Sequence, residues 1–191
     1  MKDFYKYLQA LLVICLMTGM STLSAQTQSD TLVVDWLNEA GTEVLQNSLF
    51  ETIIADTNDT GDRLNHNRVY KLQASGFYYV TERITNEGWH LNIVGEEPDP
   101  NNSDSFAPVI QLNHREDNSR PGKLISAEGD LTIKNVTLLG MSTAGDYPYE
   151  LYEMQGSNIR ITFDNVTFEK AQWGFFGVYG ADTDLFVTNS R

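Results

Sequence analysis

The chain has 191 residues, 26 Asp and Glu against 13 Lys and Arg, and a formal net charge of −13. That balance excludes nucleic acid as a partner, because phosphate neutralisation needs clustered cations. It also requires a local basic patch or a bridging cation before any polyanion can approach.

The N-terminus carries Lys2 and Lys6, then an apolar run from Leu8 to Met20, then the small residues Ser21, Ser24 and Ala25. These are the three regions of a secretory signal peptide, so residues 1–25 are expected to be removed and the product secreted or displayed at the cell surface. The apolar run is shorter than the ~20 residues of a membrane span, so no span is expected after cleavage. Cys15, the only cysteine, lies inside the run between Ile14 and Leu16. The mature chain of about 166 residues therefore has no thiol and suits one domain with a hydrophobic core.

Residues 26–66 read as a polar leader followed by a helical cap. From Glu43, apolar residues fall at Val44, Leu45, Leu49, Ile53 and Ile54, close to a 3.6-residue period, with Thr42 as N-cap. After Asn67 the period becomes two, and short strands follow with no helix between them. They are expected at 69–72, 77–80, 91–95, 109–112, 124–127, 131–135, 136–139, 151–154, 159–164, 166–168, 175–179 and 185–188.

One phrase recurs within this region. Leu131-Thr-Ile-Lys-Asn135-Val-Thr-Leu138 is echoed by Ile161-Thr-Phe-Asp-Asn165-Val-Thr-Phe168 and by Leu185-Phe-Val-Thr-Asn189, with Asn spacings of 30 and 24. A period of 20–50 residues marks a stacked repeat architecture. One residue between two strands is too little for a hairpin but enough for a sharp bend. Asn can adopt the left-handed conformation such a bend needs, and stacked Asn side chains can bond one another. Asn135, Asn165 and Asn189 are therefore expected at structural corners, one above another. The third copy is incomplete, so further C-terminal repeats of the same chain are expected beyond Arg191.

The Asn corners, the strand triplets and the N-terminal amphipathic segment resemble the right-handed parallel β-helix proteins of the pectate-lyase-like superfamily. The stretch from Arg68 through Gly88-Trp-His-Leu-Asn-Ile-Val-Gly95 to Gln111 is similar to secreted members from the Bacteroidota. The resemblance implies an all-β, right-handed parallel β-helix over residues 67–191 with an N-terminal capping helix. It implies a protein that binds extracellular polysaccharide or forms the N-terminal part of a polysaccharide lyase. A glycoside hydrolase, a non-catalytic adhesin or a structural protein remain as alternatives. It also implies a groove along the first sheet of each coil, here expected at 77–80, 124–127, 151–154 and 175–179.

The chemistry-bearing residues near that groove are few. The loop Asn113 to Lys123 holds His114, Arg115, Arg120 and Lys123, the residue types that neutralise a uronate or take its proton. Glu153 lies within a groove strand, and Asp182 and Asp184 follow the next one. Together these carboxylates are candidates for acid–base work or for Ca²⁺, the one cofactor a lyase would call for. Tyr147, Tyr149 and Trp173 lie in loops and are candidates for stacking on sugar rings.

Overall fold

The structure, a computed structural model, describes residues 30–191. The signal peptide and Cys15 lie outside the described residues. Twelve strands and one helix follow in chain order. They are β1 (Thr31–Val34), α1 (Ser48–Ala55), β2 (Val69–Leu72), β3 (Phe77–Val80), β4 (Ile84–Asn86), β5 (Leu91–Gly95) and β6 (Val109–Leu112). Then come β7 (Ile125–Ala127), β8 (Leu131–Leu139), β9 (Glu150–Met154), β10 (Arg160–Glu169), β11 (Gly174–Val178) and β12 (Asp184–Thr188).

The fold is all-β and every strand pairing is parallel. An eight-stranded sheet runs β1-β2-β5-β8-β10-β12, with β3 and β6 added alongside the second half of β8. A four-stranded sheet runs β4-β7-β9-β11, and neither sheet closes on itself. From β2 onward the chain visits the large sheet, crosses to the small one and returns one row further on. Parallel neighbours require such crossovers.

Exact register places like on like. Tyr70, Ile93, Ile133 and Phe163 form one inward row, and Ile84, Ile125, Tyr152 and Phe176 form another on the facing sheet. Side chains alternate across a strand, so each row stacks residues of one face. Most of these residues are fully buried in a single core. Tyr152, Phe163, Phe168 and Phe176 pack their rings at 5.1–6.5 Å, the separations that aromatic pairs prefer.

The corner residues Asn135, Asn165 and Asn189 have φ of 55°, 53° and 51°. This is the left-handed region, where Asn is enriched. Asn165 donates from Nδ2 to Asn135 Oδ1 at 3.0 Å, whereas Asn189 donates to Asp164 Oδ1 at 2.9 Å. Strands β8 and β10 are each continuous through their corners, so the strands expected separately at 131–135 and 136–139, and at 159–164 and 166–168, are single strands whose two halves stay in one sheet. Their first halves pair in the ladder containing β5, and their second halves pair with each other, while β6 joins the second half of β8. Gly95 sits beside the Asn135 corner, where a Cβ would come within 2.2 Å of the Asn135 carbonyl oxygen.

Three further expectations are corrected. Thr31–Val34, within the expected leader and cap, is a strand paired with β2. The helix starts at Ser48 rather than Glu43, and its N-cap is Asn47 at φ 59°. The apolar periodicity at Val44 and Leu45 is taken up by bridges to Leu37 and, at Gln46, to Tyr79. The Asn47 side chain caps nothing on its own helix. It bonds the backbone and hydroxyl of Thr81 instead, docking α1 beside β3. Finally, Phe77–Val80 belongs to the large sheet with β6, and the strand that heads the small sheet is Ile84–Asn86. Three residues of mixed polarity gave too little alternation to reveal that strand.

Leu49 and Ile53 of α1 enter the core. Behind the helix, Arg68 pairs with Asp56 through both guanidinium arms at 2.8 and 3.0 Å, and Tyr70 donates its hydroxyl to the same carboxylate at 3.0 Å. Arg68 and Asp56 are 3% and 4% exposed, so this is a dry, bidentate ion pair.

Candidate functional site

The small sheet presents one polar row outward: Thr85, Ser126, Glu153 and Gly177 are register partners across β4, β7, β9 and β11. Against Thr85 and Glu153 of this row lies a groove of about 570 Å³, walled by Glu82, Arg83, Arg115, Arg120, Lys123 and Glu153. The wall comes from the segment between β3 and β4 and from the 113–123 loop that precedes β7.

Lys123 is at the centre. Its ammonium donates to Glu150 and to Glu153, both at 2.9 Å, and lies 5.1 Å from the ring of Tyr179. Tyr179 in turn donates to Glu150 at 3.1 Å. Burial works against the Lys123 charge, but the two carboxylate hydrogen bonds outweigh it and hold its pKa above the ordinary lysine value. Burial likewise opposes ionisation of Glu153, yet the bonds from Lys123 and Gln155 keep its pKa below the usual range. Arg83 lies 3.8 Å from the second oxygen of Glu153. Gly177 makes this packing possible, since a Cβ there would fall 2.4 Å from Glu150 Oε2 and 2.7 Å from the Tyr179 ring.

On the opposite wall, Arg115 grips Glu82 with two bonds of 2.7 Å and also reaches Ser119 at 3.1 Å. That bond to Arg115 lowers the Glu82 pKa. Arg120 donates to the carbonyl oxygen of Tyr147 at 2.7 Å and has no carboxylate within ion-pair distance among the described residues. Four cations thus face three carboxylates, and one of the cations, Arg120, has only carbonyl partners. In a chain of net charge −13 the groove is a local exception.

The sequence-selected residues divide accordingly. Arg115, Arg120, Lys123 and Glu153 share the groove. His114 does not line it. Its Nε2 meets Asp146 at 3.0 Å, tying the 113–123 loop to the 140–149 loop, while its Nδ1 is buried without a partner. Asp182 and Asp184 line a separate depression with Asp130 and Arg160, so they do not join Glu153 in a carboxylate set. Among the described residues no three His, Asp or Glu side chains converge as metal ligands. Tyr149 and Trp173 meet edge to face at 5.1 Å, 58% and 80% exposed, directly ahead of Glu150 in β9 and of β11. Tyr147, 39% exposed, is linked to the groove through its carbonyl bond to Arg120.

Glu82, Arg83, Glu150, Gly177 and Tyr179 were not singled out from sequence. For the first two the signal depended on recognising β4. For the last three it was the parallel register, which sets residues about 25–30 positions apart side by side.

Comparison with family models, curated proteins and solved structures gave no significant match. Among the described residues no helix is long and apolar enough to cross a membrane.

Proposed function

We propose that this chain is a secreted right-handed parallel β-helix protein of the pectate-lyase-like class, and that the groove over its small sheet binds acidic extracellular polysaccharide. Parallel rows, regular crossing between two sheets and left-handed Asn corners support the architecture. Its hand follows the strong right-handed preference of parallel crossovers. The observation that carries the binding reading is the gathering of Arg83, Arg115, Arg120 and Lys123 on one sheet face of a strongly acidic chain. Arg120 offers a planar donor pair to a carboxylate or sulfate. The exposed Tyr149–Trp173 pair offers apolar rings to a sugar face beyond the groove.

Binding is favoured over elimination. A lyase base must accept a proton from the sugar, and Lys123 is kept protonated by Glu150 and Glu153, while Arg115 is saturated by Glu82. In a lyase reading the cation that neutralises the substrate carboxylate would be Arg120, or Ca²⁺ taken by the two glutamates after Lys123 withdraws. Titration with uronate, sulfated and neutral oligosaccharides tests the proposal. Saturable binding of acidic chains only, weakened by Arg120→Ala, is expected. Equal response to neutral and acidic chains would defeat it, and an unsaturated product absorbing in the ultraviolet would move the assignment to a lyase. Adhesion to cells with no glycan response would favour the adhesin alternative.

A further inference from the structure

The groove does not stop at β4. Arg83 and Thr85 also line a second compartment of about 750 Å³ on the side of α1. Its apolar wall is Phe50, Ile54 and Trp89, with Ile54 49% exposed. Arg63 lies over the Trp89 ring at 3.5 Å, and its guanidinium is already bonded to the carbonyl oxygens of Ile53 and Asp56 and to the Tyr70 hydroxyl. These bonds all come from Nη1 and, with the stacking on Trp89, fix the Arg63 side chain against the compartment wall. Asp62 and Glu87 line the same compartment as Arg63, His66 and Arg83. Its two carboxylates offset its two guanidiniums, so the compartment lacks the excess of cations found in the groove. It offers an aliphatic and aromatic wall beside hydrogen-bond donors, the Arg83 guanidinium and the Thr85 hydroxyl. A small group with a methyl end and a carbonyl end matches that pairing. Apolar burial rewards the methyl, and a donor satisfies the carbonyl.

We propose that the compartment between α1 and β4 is a subsite for an acetylated sugar, and that the ligand is a linear acidic glycan carrying acetyl groups next to its charged units. The inference rests on the acidic-polysaccharide reading of the adjoining groove and narrows it. Arg83, exposed between the two compartments, is the shared contact for neighbouring sugar units.

The test uses three defined probes with the whole chain: a tetrasaccharide of uronate alone, one of N-acetylglucosamine alone, and one alternating the two. Calorimetry should rank the alternating probe tightest, by about 3- to 10-fold over the uronate probe, the size expected for one buried methyl with its carbonyl bonded. Ile54→Ser, a change at a half-exposed position, should erase that margin while leaving uronate affinity intact. Arg120→Ala should weaken both acidic probes alike. Equal affinity for the uronate and alternating probes, unchanged by Ile54→Ser, would overturn the acetyl subsite and leave the acidic groove standing. Failure of both acidic probes to bind would overturn the groove reading itself.

Discussion

Two charged clusters in this molecule invite comparison. Behind α1, Arg68 and Asp56 form a bidentate pair almost wholly removed from water, with the Tyr70 hydroxyl as a third member. On the small sheet, Lys123, Glu150 and Glu153 form a network at 20%, 22% and 13% side-chain exposure, open to a groove. The first serves the fold: the Arg68 guanidinium and the Tyr70 hydroxyl converge on one buried carboxylate. The second keeps its groups within reach of solvent and beside Arg120, which has carbonyl partners only. Ion pairs alone do not mark a site. What marks one is charge that stays wet and is gathered against the sign of the whole chain.

The sharpest way to break this comparison is at the dry pair. Asp56→Ala leaves the Arg68 guanidinium buried without its carboxylate and should cost about 3–5 kcal/mol in denaturant unfolding. A loss below about 1 kcal/mol would mean that water reaches Arg68 and that the two clusters do not differ in kind. Gly177→Val comes next. Its side chain must displace the Glu150 carboxylate or the Tyr179 ring, and a loss of about 1–3 kcal/mol is expected, in the range for overpacking. A neutral result would show that the network is not held by β11.

Acid titration separates the clusters further. The Glu153 pKa is lowered in the folded chain, so its contribution is present above the unfolded value of about 4.3 and is lost as pH falls through the folded value. The Lys123 pKa is raised, so its contribution is complete below about 10.4 and is lost as pH rises through the folded value. The network should therefore be constant from about pH 5 to about pH 10. Unfolding midpoints of the wild type and Glu153→Gln should differ at pH 7 and draw together as pH falls below the ordinary glutamate range; parallel curves would contradict the assignment. The smallest stability effect is expected for Lys123→Met, within about 1 kcal/mol, because the network is partly solvated. Its binding effect should be the larger one. Removing a cation from the groove should weaken acidic oligosaccharides by about tenfold or more and flatten the salt dependence of association.

The corner asparagines were legible in the sequence because a sharp bend restricts both residue type and spacing. Asn135 and Asn165 each carry the flanking Val-Thr that names their rows. Most strands were legible for the same reason, through period-two alternation. Strand β4 was not, since Ile84-Thr-Asn86 is too short to alternate, and its loss shifted Phe77–Val80 onto the wrong sheet. The helix begins later than the periodicity implies because Val44 bridges Leu37 and the Leu45 N–H donates to the Trp36 carbonyl, so neither serves a helical face. Of the site, the 113–123 loop was visible as a density of charge. Glu150 and Tyr179 were not, because they meet only through the stacking of β9 on β11 and nothing local ties them together.

The corner between β5 and β6 has a consequence for how such a surface can be rebuilt. There the chain inserts the whole segment from Glu96 to Pro108, while in the next row Asn135 alone makes the same passage. The rows on either side stay in register regardless. Loop length and core geometry are therefore decoupled at this edge. A foreign peptide grafted at the Asn135 or Asn165 corner should be displayed without disturbing the stack, which makes the edge a natural place to write a new recognition surface.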